Sequence, residues 1–355
     1  MRALFSRKTG WRLVALLLSG LYVLSFMPST VQNLVMARHR LPAWNPLASD
    51  KLRFGDLYGI SFLSAFRLPY QNQATRVGPA EGGARYSVRL LGDSYMAVSR
   101  IRTAAFSGAD TLTLGGIDEV LMGKSTVPPV DSRSILVLES TERLMRYRFG
   151  ADTAVATAVD PEANLPWLQQ QTLRLIRGFC RNPSTDLEYM VFDYGLFRPL
   201  KETRADLTYR WFGRISDGVG LAADGQRLYL KETIDDDKHS AFTRLDSAEV
   251  RLMVDKLNRV GQLARQQGYR AVFLSIVPNP VSVIEPGRGP YNHLVERVEQ
   301  HPDLKLGVIS LYDRFRADGR RYYHPSDSHW NQAGVDAWVL TMNQLFNRTA
   351  RSDAF

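Results

Sequence analysis

Two short segments far apart in the chain hold the residue types of a nucleophilic acyl-transfer site: Leu91-Gly92-Asp93-Ser94-Tyr95 and Ser326-Asp327-Ser328-His329-Trp330-Asn331. A serine hydroxyl is a weak nucleophile until an imidazole can take its proton, and the imidazole works best when a carboxylate fixes its tautomer. The pattern therefore predicts Ser94 as nucleophile, His329 as general base and Asp327 as the group that orients the base. One residue separates Asp327 from His329, which lets the carboxylate reach the Nδ1 side and leaves Nε2 for Ser94. The same residues admit plainer readings. Asp93 or Ser94 could simply cap a helix, and Asp327, His329 and His324 are acceptable metal ligands. A metal site drawn only from residues 324 to 329 would be crowded, so neither a metal nor another cofactor is expected.

The elements that must position these residues read as an α/β pattern. Tyr86 to Leu91 is a strand ending at Gly92, followed by a helix from Tyr95 to Phe106. Thr111 to Leu114 is a second strand ending at Gly115-Gly116, with helical character from Ile117 to Met122. Ser134 to Leu138 is almost wholly apolar, as expected for a strand buried on both faces. A helix is expected over 160–180, another from Ser247 to Gln267 capped by Gly268, and a strand from Ala271 to Val277 before Pro278-Asn279-Pro280. A helix near Tyr291 to Gln300, a strand from Gly307 to Leu311 and a last helix from Gly334 to Asn347 follow. Strands alternating with helices predict a doubly wound parallel sheet, whose carboxyl edge is where ligands bind. Ser94 sits at one strand-to-helix junction, and Asp327 and His329 precede the last helix. Residues 186–245 break the pattern: mixed aromatics, glycines and charges, with a turn at Asp224-Gly225, predict a β-rich or irregular insertion containing a hairpin.

The chain has 355 residues and a net charge of +9. Residues 1–53 carry eight Lys or Arg against Asp50 alone, leaving 37 basic and 35 acidic residues in the body. A nearly neutral body gives nucleic-acid binding little support. Arg2, Arg7, Lys8 and Arg12 precede an apolar run from Leu13 to Met27, which ends at Pro28. This reads as a membrane-targeting segment with its positive flank in the cytoplasm, either a retained signal-anchor or a signal peptide cleaved near Val35-Met36-Ala37. The expected organisation is a signal segment over 1–30, a proline-containing juxtamembrane stretch over 31–85 and a catalytic domain over 86–350. In a bacterium that domain would lie in the periplasm, held to the inner membrane by its N-terminal helix. The lone cysteine, Cys180, reads as a helix-face or core residue rather than a thiol catalyst.

The strand-Gly92-Asp93-Ser94 block and the Asp-x-His block at the far end resemble the first and last blocks of the SGNH (GDSL-type) hydrolase superfamily. The stretch from Tyr322 to Gly334 is similar to the Asp-x-His-Trp segment of periplasmic alginate-type O-acetylation proteins, and Glu139-Ser-Thr-Glu142-Arg143 resembles their Glu-Arg strand end. The resemblance covers roughly residues 86–145 and 250–345. Three features depart from the pattern. The serine block comes first, as in ordinary SGNH enzymes; only Ser328 stands between Asp327 and His329; and the Gly-x-Asn-Asp oxyanion block has Glu139 to Arg143 in its place. Backbone N–H groups of Ser94, Gly115 and Gly116 are then the candidate oxyanion donors, with no third donor assigned.

The resemblance implies an SGNH-like three-layer fold and an O-acetyltransferase or acetylesterase acting on a polysaccharide, with a membrane-bound O-acyltransferase supplying acetyl groups if transfer is the reaction. Tyr95, Trp330 and Asn331, beside the two motifs, are candidate substrate contacts, an aromatic being a natural sugar platform, although core packing or helix capping explains them equally. Tyr209, Trp211 and Tyr229 are weaker candidates for a glycan groove, and Glu139 and Arg143 are expected to form an ion pair. The competing readings are a non-catalytic glycan-binding or scaffolding subunit of an export complex and a lipid or peptidoglycan esterase.

Overall fold

The structure, a computed structural model, describes residues 7–25, 53–70, 86–99, 101–121, 133–151, 194–235 and 238–352, together with residues 37, 41 and 45–48. The helix expected over 160–180, Cys180, and Val35 and Met36 of the expected cleavage site lie outside these residues. Among the described residues no helix is long and apolar enough to cross a membrane. The N-terminal helix, Arg7–Ser25, has 19 residues and includes the basic residues Arg7, Lys8 and Arg12.

Two compact units divide the chain. The first comprises residues 1–54, 62–64 and 161–214. In it the Gly195 N–H donates to the Ala48 carbonyl at 2.8 Å, and Ser64 is tied to Asp206 by its N–H at 3.0 Å. Its longest described helix after the N-terminal one is Arg198–Phe212, ended by Gly213 in the left-handed conformation at φ 62°. This helix lies in the first half of residues 186–245, where the sequence predicts a β-rich or irregular insertion, and adds a regular helix to it. Tyr209 and Trp211, candidates for a glycan groove, and Phe212 stand exposed on this helix. The same segment is split: residues up to 214 group with the first unit, and those from 215 with the second.

The second unit, residues 55–61, 65–160 and 215–355, is an α/β body around a five-stranded parallel sheet. Its strands are β1 (Tyr86–Gly92), β2 (Ala109–Gly116), β3 (Ser134–Thr141), β6 (Ala271–Val277) and β7 (Gly307–Val308), in the order β2-β1-β3-β6-β7. A separate antiparallel hairpin joins β4 (Val219–Leu221) to β5 (Leu228–Leu230) across the expected Asp224-Gly225 turn. The sheet and its helices are compatible with a three-layer α/β arrangement.

Composition explains the strand order. Every residue of β3 is buried, and its Ile135-Leu136-Val137-Leu138 run fits a central strand covered on both faces. The outer strand β2 is Thr-rich and half-exposed. On helix Ser247–Gln266 the buried residues Val250, Met253, Val254, Leu257, Val260 and Ala264 recur at helical spacing and form one apolar stripe. Gly268, at φ 103°, follows its end. The chain leaves β1 for β2 on one side and returns to β3 on the other, so the strand order reverses between β1 and β3 while all strands stay parallel. In open α/β sheets ligands bind at the carboxyl ends of the strands at that reversal. Ser94 stands there, one residue past Asp93.

Some boundaries differ from the pattern. The helix after β1 covers only Ser94–Val98, with a single turn of 3-10 helix at Thr103–Ala105. β7 is two residues long rather than five. Short helices at Asp56–Ser61, Pro280–Ile284 and Tyr312–Ala317 were not legible, because one or two turns give periodicity too little length.

Candidate active site

Asp93 builds the turn that presents Ser94. Its carboxylate accepts the Tyr95 N–H at 3.0 Å and the Thr141 N–H at 3.1 Å, which ties the end of β1 to the end of β3. Its own N–H donates to Glu139 Oε2 at 2.8 Å. Arg148, on helix Glu142–Phe149, donates to Asp93 Oδ2 at 3.1 Å and to Ser140 Oγ at 2.8 Å, and grips Asp118 through Nε and Nη2. Burial pushes the Asp93 carboxyl up, but Arg148 and the backbone N–H groups outweigh it and hold the pKa below the usual carboxylate range. Glu139, beneath the serine turn, is raised well above its ordinary value by burial and by the Asp93 charge. The ion pair expected between Glu139 and Arg143 is replaced by other contacts: Glu139 serves Asp93, and Arg143 Nε lies 3.4 Å from Glu232.

The structure brings Ser94, His329 and Asp327 together. Ser94 Oγ lies 2.8 Å from His329 Nε2, and His329 Nδ1 lies 2.6 Å from Asp327 Oδ1. The Asp327 carboxylate also accepts the His329 N–H at 2.8 Å, so the two-residue spacing closes on itself. Ser94 is exposed, while Asp327 and His329 are buried. Burial disfavours the charged imidazole, but the hydrogen bond to Asp327 and the charges of Asp327 and Asp56 outweigh it and hold His329 above its ordinary pKa. Burial likewise pushes Asp327 up, and its bonds to His329 and the Asp56 N–H bring it below the usual range. A base of raised pKa hydrogen-bonded to a serine hydroxyl and backed by an ionised carboxylate is the arrangement that proton transfer from serine requires.

The loop that carries Asp327 and His329 is held from several directions. An isolated antiparallel bridge pairs Tyr323 with Trp330. Arg227, beside β5, donates to the carbonyls of His324 at 2.7 Å and Tyr323 at 3.0 Å, and the Leu228 N–H donates to the Pro325 carbonyl at 2.9 Å. From the other side, the Tyr58 N–H donates to the Ser326 carbonyl at 3.0 Å. Gly55 allows that approach: its φ is +94°, and a Cβ there would lie 2.2 Å from the Ser326 carbonyl oxygen. Gly55→Ala is therefore expected to cost about 2 kcal/mol or more of stability from the strained conformation alone. The measurement is a urea unfolding curve, and a midpoint unchanged from wild type would contradict the close approach.

A cleft of about 600 Å³ opens beside Ser94, lined by Gly92, Asp93, Leu114, Gly115, Gly116 and Arg148 among others. Register pairs Leu91 with Gly115 and Gly92 with Gly116, so both candidate oxyanion glycines stand at the strand end next to the serine turn.

The three candidate substrate contacts are placed otherwise. Tyr95 is 0% exposed, its hydroxyl donates to the Ser328 carbonyl, and its ring lies 4.7 Å from that of His329. Trp330 is also 0% exposed, with its indole N–H on Ser99 Oγ and its ring against Tyr95 and Trp338. A buried ring cannot serve as a sugar platform, so both correct the sequence reading: they fix the histidine loop from within. Asn331 caps the last helix, Gln332–Ser352, accepting the Gly334 N–H at 3.2 Å and donating to the Arg321 carbonyl at 2.8 Å. Tyr229 fills a small core with Ala222, Ala241 and Val281. His324 is engaged by the Pro69 carbonyl at 3.1 Å and by Ser326 Oγ.

Sequence reasoning missed Asp56. Its carboxylate, that of Asp327 and the His329 ring offer oxygen and nitrogen atoms within 4.8 Å of one another. Those atoms already serve hydrogen bonds, Asp327 to His329 and Asp56 to Ser328. Only a Gly-Asp pair ahead of a short helix marks Asp56 in the sequence, a signal shared with ordinary turns.

Fold and geometry define an α/β protein with a Ser-His-Asp chain of hydrogen bonds at the carboxyl edge of a parallel sheet. Compared with protein-family models, curated proteins and solved structures, the chain matches none.

Proposed function

We propose that the chain is an extracytoplasmic, SGNH-like, serine-dependent O-acetyltransferase or acetylesterase acting on a polysaccharide. The observation that carries this reading is the unbroken path from exposed Ser94 Oγ through His329 to Asp327, at 2.8 and 2.6 Å, opening beside a glycine-lined cleft. Ser94 Oγ attacks the carbonyl carbon of the acetyl donor as its proton passes to His329 Nε2. The resulting oxyanion faces the N–H groups of Ser94 and of Gly115 or Gly116. Collapse breaks the bond to the donor's leaving group, which takes the proton from His329 and departs, leaving an acetyl ester on Ser94. An acceptor hydroxyl then gives its proton to His329 and takes the acetyl group, and His329 returns the proton to Ser94. Water in place of the acceptor makes the same steps a hydrolysis.

The motif resemblance supports the SGNH-like reading, as does the strand order, a doubly wound order with the nucleophile directly after β1. The basic flank and apolar run of residues 2–27 support a membrane-targeting segment, a retained anchor or a cleaved signal peptide, and a periplasmic body. A membrane-bound O-acyltransferase is the partner that transfer would require, since the acetyl donor must be delivered on the same side of the membrane as the body.

A serine-directed fluorophosphonate separates this reading from that of a glycan-binding scaffold. Intact mass is expected to show one adduct on the wild-type chain and none on Ser94→Ala. An unmodified wild-type chain that nonetheless binds polysaccharide would favour the scaffold.

A further inference from the structure

Only Ser328 separates Asp327 from His329, so the bend between them must be held for the carboxylate to meet Nδ1. The hold comes from a residue 271 positions away in the chain. The Asp56 N–H donates to Asp327 Oδ2 at 2.7 Å, and Asp56 Oδ1 accepts the Ser328 N–H at 2.7 Å. Asp56 Oδ2 accepts the Ser328 hydroxyl and lies 3.8 Å from His329 Nδ1. One residue thus grips both the carboxylate that orients the histidine and the link between them. It also faces the imidazole with a second carboxylate.

We propose that Asp56 is a positioning residue for His329: it clamps the one-residue Asp-x-His bend, and its carboxylate stabilises the imidazolium that forms when Ser94 gives up its proton. The inference rests on the serine-based reading above. Backbone atoms alone could hold the bend, but no backbone group supplies the charge. The groups around the imidazole are Asp327 and Asp56, whose charges favour imidazolium; Arg143, whose charge opposes it; the Tyr95 ring; and Ser94. Tyr70 closes the same region with its hydroxyl 3.3 Å from the Trp330 carbonyl. Asp56 is itself raised by burial and by the neighbouring Asp327 charge, as a second carboxylate beside the first must be.

The direction of the pH effect follows. His329 must be neutral to act as base, so the acid limb of kcat/KM reports its pKa. With both carboxylates in place that limb lies above the ordinary histidine value of about 6.5. Removing the Asp56 charge lowers the imidazole pKa, and the limb moves to lower pH.

The test uses the full-length chain with a small acetyl ester. Asp56→Ala is expected to lose on the order of a hundredfold in kcat, as misplaced catalytic groups do, with KM little changed. Asp56→Asn keeps an oxygen for the Ser328 N–H, and the Ser328 hydroxyl can turn to accept from its amide. It should recover most of kcat while moving the acid limb down by about one pH unit. A parallel NMR titration of the His329 ring should show the same downward shift in Asp56→Asn whether or not the ester is turned over. An acid limb and a ring titration unchanged in folded Asp56→Asn would overturn the proposal. If instead Ser94→Ala turns over ester as fast as wild type, the serine reading fails, and the ring titration still decides the role of Asp56.

Discussion

Replacing Ser94 with alanine is expected to lower turnover of a small acetyl ester by roughly 10⁴-fold or more, and His329→Ala by a similar factor. On the proposed serine mechanism the two side chains act as one device: Ser94 Oγ is 2.8 Å from His329 Nε2, so removing the base leaves the hydroxyl without that proton acceptor. The double variant should therefore be scarcely slower than either single one, since members of such a unit are far from additive. Residual rate in all three would come from the backbone donors beside the cleft. Rates under saturating ester, with circular dichroism to establish folding, make the comparison. Equal turnover by wild type and Ser94→Ala would remove the serine mechanism altogether. A double variant losing the product of the two single losses would show that the groups act independently, against the hydrogen-bonded geometry.

The second large effect is on stability. Arg148 is 1% exposed and is shared by Asp93, Ser140 and Asp118 beneath the serine turn. Arg148→Met retains much of the volume but leaves Asp93, itself 6% exposed, as a buried carboxylate without its cation. Breaking a buried pair from one side costs about 3–5 kcal/mol. The share due to Asp118, 44% exposed, is small because water screens it. Asp93→Asn added to Arg148→Met should restore part of the loss, since a neutral amide is cheaper to bury than a charge. Asp93 is held below its ordinary pKa, so its contribution is present above about pH 4 and fades as pH falls through its folded value. The gap between wild type and Arg148→Met should accordingly narrow in acid. Urea unfolding at neutral and acid pH measures both effects, and matching midpoints at neutral pH would deny the ion pair its role.

Periodicity carried most of the sheet. β6 occupies the expected Ala271 to Val277, and β3 extends the expected strand to Thr141, because strands buried on both faces leave an unbroken apolar run. Short edge elements carry no such mark, so β7 shrank to Gly307–Val308. The helix Arg198–Phe212 escaped for a related reason: its exposed aromatics, Tyr209, Trp211 and Phe212, break the apolar pattern by which a helix is recognised. Tyr95 and Trp330 misled for the opposite one. Their position beside the motif is sequential, whereas their burial arises from packing against Ser328, Ser99 and Trp338.

By itself the sequence determined the residue types of the proposed chemistry and the local frame of each: a serine directly after a buried strand, and an aspartate and histidine two residues apart ahead of a helix. These are short-range properties, set by strand burial and loop reach. Only the tertiary structure decided that Ser94 and His329 meet at 2.8 Å, that Tyr95 and Trp330 face inward, and that Asp56 grips Asp327 and Ser328. Contacts across more than two hundred positions are chosen by packing, which selects partners by shape and charge in three dimensions and leaves no spacing in the chain to read.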